Sequence, residues 1–189
     1  MALSFADQIK DKFKRITLAQ TFEDSVKREL DNLSMLTDDV ALVVVGHLYV
    51  EQQCRDILGA FFNYEFSRSH LDHTEYSQLT VLLRLSNLLD ERVLESLTFL
   101  GRLRNRFAHN IVSLKLLDRK ASEKDNELVE TFRRLCKSLR VNGANVQEQF
   151  IDFLKIVRVQ LRRAELLAKE MSRYVTTQEY IDSLEPIRI

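Results

Sequence analysis

Val40-Ala41-Leu42-Val43-Val44-Val45-Gly46-His47-Leu48-Tyr49-Val50-Glu51 is the stretch whose reading decides the fold. Its opening is rich in β-branched side chains and, taken alone, passes for a buried strand. The spacing further on points to a helix. Val43, His47, Val50, Cys54, Ile57 and Phe61 recur at steps of three and four, and the pattern runs unbroken to about Phe62, longer than strands extend. Thr37-Asp38-Asp39 just upstream supplies a capping residue followed by acids in a first turn. Val44, Leu48, Leu58 and Phe62 are expected to broaden the buried face.

The same period recurs downstream. Glu75 to about Leu89 reads as a helix with Leu79, Leu82, Leu83 and Leu85 inside. Asp90-Glu91 opens another, joined to it by a tight turn, so the two lie antiparallel. After a connector over Asn110 to Lys120, anchored by Val112, Leu114, Leu116 and Leu117, a helix over Glu127 to Leu139 turns Val129, Phe132, Leu135 and Cys136 inward. Val141 to Asn145 is the clearest break in the chain. A last long helix, from about Val146 to Tyr174, carries a seam of Phe150, Phe153, Leu154, Val157, Leu161, Ala164 and Met171. It packs along the bundle or against a second copy. Lys155, Arg158, Arg162 and Arg163 form a basic strip on it, read as a solvated face. Near the N-terminus, Ser4 to Arg15 and Thr21 to Met35 are shorter amphipathic stretches. With 45% hydrophobic residues, one proline and four glycines among 189, the expected class is an all-α antiparallel bundle. The expectation is one helical domain over 1–189, with a core over 38–111 and a packing helix over 144–174.

Charge and cysteines narrow the function classes. The 28 basic and 28 acidic residues cancel, which argues against broad coating of nucleic acid but leaves room for a local basic cleft. Cys54 and Cys136 are far apart and lack any CxxC context, as in reduced thiols of a cytoplasmic protein. No apolar run reaches the ~18 residues of a membrane span. His70 and His73 have the spacing of metal ligands, but no third ligand accompanies them, so neither a metal nor another cofactor is expected.

Candidate chemistry concentrates in Leu100-Gly101-Arg102-Leu103-Arg104-Asn105-Arg106-Phe107-Ala108-His109. Val93, Leu97, Leu100, Phe107 and Ile111 make one apolar face, and Arg104 falls inside it, between Leu100 and Phe107. A guanidinium stays charged and cannot be buried without partners, so it meets an anion or lines a wet cleft. Asn105 and His109 project together from the flank. Gly101 and Ala108 on that flank would admit another helix. His47 is read either as a core histidine bonded to Glu51, one turn on, or as a group reaching the same cavity as Arg104. Arginine pairs with phosphate in a bidentate fork and stabilises a pentavalent transition state. Histidine shuttles protons near neutrality. Motifs such as the P-loop, GxGxxG, HExxH and GxSxG are absent from the sequence.

Leu103-Arg104-Asn105-Arg106-Phe107-Ala108-His109 resembles the signature helix of the HEPN superfamily: an arginine, a polar residue, a short spacer and a histidine. The helix around Ala41 to Glu51, followed by Cys54-Arg55-Asp56-Ile57-Leu58, is similar to the first long helix of its MltR-like (mannitol operon repressor) branch. The resemblance covers about Asp38 to Ile111. It implies a helical bundle, usually a homodimer with the two motif helices facing. In catalytic members it implies metal-independent RNA cleavage in toxin or phage-defence settings, alongside an antitoxin or regulatory protein. By match, Arg104, Asn105 and His109 would be catalytic and Glu51 supporting; His47 is a further supporting candidate, and Arg102 and Arg106 of the same helix are candidate substrate contacts. The MltR-like branch also implies an alternative, a non-catalytic transcriptional regulator or protein-interaction module. Ile111 stands where nucleotidylated HEPN toxins carry a tyrosine, which puts that form of regulation in doubt here.

Overall fold

The computed structural model describes residues 35–36, 38–62, 70–109, 113–117 and 123–176. The stretches read over Ser4 to Arg15 and up to Ser34 lie outside them, as do Val112 and Ile111. Among the described residues there are five α-helices, one 3-10 turn and no strand: α1 (Asp39–Phe61), α2 (Tyr76–Ser86), α3 (Glu91–His109), the turn Leu114–Leu117, α4 (Glu123–Leu139) and α5 (Val146–Thr176). The chain is an all-α bundle. No helix among the described residues is long and apolar enough to cross a membrane.

Length and capping account for α1. The Asp38 carboxylate accepts from the backbone N–H of Val40 at 2.8 Å, so Asp38, not Thr37, is the cap, and Asp39 sits in the first turn. Asp39 does a second job. Its Oδ2 accepts from Ser113 Oγ at 2.5 Å and from the backbone N–H of Leu114 at 2.9 Å, tying the segment that follows α3 to the start of α1. Asp90 caps α3 by accepting from the Val93 N–H at 3.0 Å. Helices α2 and α4 end on Asn87 and Arg140, both in the left-handed conformation that closes helix C-termini.

Helix α1 is the central element, packed against α5, α3 and α2. Leu42, Val43, Val50, Cys54, Ile57 and Leu58 are fully buried on it. Its closest neighbour is α5. A Cβ on Gly46 would lie 2.7 Å from Leu154 Cδ1, so glycine at this point sets how near the two axes come. Phe99 of α3, Phe132 of α4 and Phe150 and Phe153 of α5 form an aromatic cluster. Phe99 stacks on Phe132 with centroids 5.5 Å apart and meets Phe153 edge-on at 5.7 Å.

The expected seams hold along most of their length, with departures at their edges. Leu48, Phe62 and Leu85, expected inside, are exposed, Leu85 by 76%. Each lies beyond the strip its neighbours cover: on α2 the buried pair is Leu79 and Leu83, and Leu85 is two residues, about half a turn, away from it. Arg158 departs the other way. Instead of sharing a solvated strip with Lys155, it is buried with its guanidinium over the Tyr49 ring at 5.2 Å.

Replacing Gly46 with alanine forces Leu154 to move within a filled core, and a loss of about 1–3 kcal/mol is expected. Urea unfolding of Gly46→Ala measures it, and Leu154→Val in the same chain should recover part of the loss, because the two sites share one contact.

Candidate functional site

An open cavity of about 640 Å³ lies between α1, the turn at 72–75, α2 and α3. Helix α1 supplies His47, Glu51 and Arg55, one turn apart from each other and so on one line of the helix. Tyr76 comes from α2. Gly101, Arg102, Arg104 and Asn105 come from the second half of α3.

The three polar groups of α1 lie on a helix otherwise occupied with core packing, and Arg55 ties them down. Its Nη2 pairs with Glu51 Oε1 at 2.7 Å and donates to the carbonyl of Thr74 at 3.0 Å, while Nε donates to the carbonyl of Leu71 at 2.9 Å. One guanidinium therefore balances the carboxylate and fixes the turn that leads into α2. Tyr76 then hangs in place by its hydroxyl, which donates to the carbonyl of Leu97 at 3.0 Å. Gly101 makes room for it: a Cβ there would meet the Tyr76 ring at 3.0 Å. Gly101 was expected to admit a helix; it admits this ring. Burial pushes the Tyr76 hydroxyl well above its ordinary range.

His47 is 2% exposed, and its ring packs on Tyr76 with centroids 4.3 Å apart. The expected hydrogen bond to Glu51 is not made. Nδ1 lies 3.5 Å from Glu51 Oε2, and neither ring nitrogen has a hydrogen-bond partner among the described residues. Burial pushes His47 below its usual value; Glu51 opposes that, while Arg104 and Arg55 add to it. His47 is thus held neutral, within reach of the field of Arg104.

Arg104 is not inside the apolar face. Leu100, Leu103 and Phe107 are buried, and Arg104 is exposed at the cavity. Of the two outcomes open to it, a partner anion or a wet cleft, the structure has the cleft. Its Nη1 donates to Asn105 Oδ1 at 3.1 Å, and no carboxylate among the described residues pairs with it. Asn105 is exposed beside it. His109, the last residue of α3, is exposed and does not line the cavity. Arg102 lines the wall but is engaged by Glu127 at 2.5 Å. Arg106 is half-buried and outside the cavity.

The expected residues therefore divide. Arg104, Asn105, His47, Glu51 and Arg102 share one cavity, while His109 and Arg106 do not line it. Arg55 and Tyr76 are site residues that the sequence reading did not single out. Arg55 was findable, four residues after Glu51; Tyr76 reaches the site through tertiary packing alone. His73 lines the rim, and among the described residues no group of three potential ligands forms around it. No family model, curated protein or solved structure matches the chain.

Because the folded state holds His47 neutral, the unfolded chain takes up that proton more readily. The contribution is fully present above pH 6.5, the usual histidine value, and is lost as pH falls toward the lower folded value. Stability should drop between pH 7 and 5 by at most about 1.4 kcal/mol per unit from this group. In His47→Leu that part of the slope should vanish. The variant should also gain about 1–3 kcal/mol at neutral pH, since an unpaired buried polar group is removed. Urea melts across the range test both.

Proposed function

We propose that the chain is a metal-independent endoribonuclease of the HEPN type, acting as a homodimer with the two α3 helices facing. The observation that carries this is the strip on the last two turns of α3. Arg104, Asn105, Ala108 and His109 are all exposed on one side of the helix, and the first two line the cavity. A second copy across a two-fold axis would set two arginines and two histidines around one cleft. It would also cover the strip that one copy leaves open.

In that cleft each group has a task suited to its chemistry. Arg104 would hold the scissile phosphate and stabilise the charge that builds on it. His109 would take the proton from the ribose 2′-OH as its oxygen attacks phosphorus. The equivalent histidine would return a proton to the departing 5′-oxygen, leaving a cyclic phosphate. Asn105, bonded to Arg104, would orient the guanidinium. Arg106 would contact substrate outside the cleft, and Arg102 would do so only by leaving Glu127.

A second reading is a non-catalytic transcriptional regulator or protein-interaction module of the MltR-like type, acting through a protein partner. The exposed apolar pair Val81 and Leu85, one turn apart on α2, favours it.

The test is cleavage of total RNA by the purified full chain in the presence of chelator. His109→Ala should lower the rate by about 10²–10⁴, the usual worth of acid–base groups. Arg104→Ala should lower it at least as far, and Arg104→Lys should recover little because the fork is lost. Intact RNA with the wild-type chain, or equal cleavage by wild type and His109→Ala, would remove the nuclease reading and leave the regulator.

A further inference from the structure

His47 is a polar residue buried among the core positions of α1. Both its ring nitrogens are shut away from water without a hydrogen-bond partner among the described residues, yet the ring forms part of the wall of the cavity that Arg104 opens. The ring packs on Tyr76, but hydrogen bonding does not account for a polar residue here. Its surroundings suggest what does.

The charged and titratable groups facing it come from every side. On α1 these are Glu51 and Arg55, with the buried Cys54 thiol behind. The turn at 72–75 and α2 bring Asp72, His73, Glu75 and Tyr76. Helix α3 brings Arg104, with Arg102 turned to Glu127. Helix α5 meets this part of α1 through Leu154 at Gly46 and through Arg158 on Tyr49. Arg55 is matched by Glu51 and two carbonyls. Arg104 is the cation at this cavity whose charge the described residues leave unmatched, and its field acts on the imidazole. Glu51 Oε2, 3.5 Å from Nδ1, makes no hydrogen bond to the ring, but its charge favours a proton there.

We propose that binding of a phosphodiester at Arg104 is coupled to uptake of one proton by the buried His47–Glu51 pair, which makes His47 a positioning residue that tightens the site as pH falls. Burial is the main reason His47 resists a proton, and Arg104 and Arg55 add to it while Glu51 opposes it; an anion on Arg104 removes the Arg104 part and shifts the balance toward uptake. The proton comes from solvent, sits on the imidazole and is held by Glu51. The added negative charge of the ligand and the added positive charge of the proton balance. Coupling is reciprocal, so the proton strengthens phosphodiester binding by the same factor that binding strengthens proton affinity. The inference rests on reading Arg104 as a phosphate contact but does not need the chain to cleave RNA.

The experiment is calorimetry of the full chain with a 2′-O-methyl oligoribonucleotide, which lacks the attacking hydroxyl. It is run at pH 7 in two buffers of different ionisation enthalpy, then across pH 6 to 8. Wild type should take up protons on binding, and its affinity should fall as pH rises, by up to about tenfold per unit for one coupled proton. His47→Leu and His47→Gln should stay folded by circular dichroism and bind with no proton uptake and a flat pH profile. The glutamine variant separates loss of titration from loss of polarity. His73→Asn, at the cavity rim and outside the proposed catalytic set, should keep the uptake per bound oligonucleotide. Absence of binding or of uptake in the wild type overturns the inference. So does uptake that persists undiminished in His47→Leu or disappears in His73→Asn. A chain that binds with uptake but leaves natural RNA intact would uphold the inference and remove the nuclease reading.

Discussion

Arg55 is the constraint on which the arrangement turns. Helix α1 is covered by α5, α3 and α2, so a polar residue on it has few ways to be satisfied. Glu51, only 18% exposed at its side chain, would be a poorly solvated charge without a counterion. Arg55 supplies the counterion, and its remaining donors reach the carbonyls of Leu71 and Thr74. The same guanidinium therefore neutralises the cavity floor and fixes the direction in which the chain enters α2. Tyr76, the first residue of α2, follows from that direction, and with it the packing against His47 and Gly101. The core of the bundle is apolar, with polar ties such as Asp39 to Ser113 at its edges, while this fork holds the cavity.

A helical bundle was legible because its signals are local. Period, caps and the scarcity of breakers all lie within a few turns of each other, and α1, α3 and α5 appear close to where those signals place them. Edges were not legible. Periodicity defines the middle of a buried stripe but not its width, and the width depends on where neighbouring helices end. Leu48, Phe62 and Leu85 fall outside it for that reason, and Phe99 falls inside it, against Phe132 and Phe153. Arg104 is the same effect at a place that matters. By spacing it belongs with Leu100 and Phe107. In the fold its side of α3 meets the cavity instead of another apolar face.

The site divides along the same line. The proximity of His47, Glu51 and Arg55 is a consequence of helix geometry and could be read from residues four apart. Bringing them against Arg104 requires two helices to meet, and the one sequence-level hint was two anomalies of the same kind: a histidine and an arginine, each in an apolar stripe. Both anomalies face one cavity. Among the described residues, a buried imidazole without a hydrogen bond and an exposed guanidinium without a carboxylate are thus placed together, a departure from local rules of the kind expected at functional sites.

Charge balance sets what such a cavity would do with RNA. Its lining carries Glu51, Asp72 and Glu75 against Arg55, Arg102 and Arg104. Arg55 and Arg102 are already matched by carboxylates, so the attraction for a phosphate comes chiefly from one guanidinium. A chain of zero net charge adds no long-range pull to it. Under the proposed function, each subunit would neutralise few phosphates, and the affinity would depend only shallowly on salt, because that dependence counts the phosphates neutralised. Selection among RNAs would then rest on the shape of the cleft and on the state of groups beside the arginine, not on accumulated positive charge. A neutral imidazole next to that arginine is consistent with this economy: it adds no charge until an anion is present.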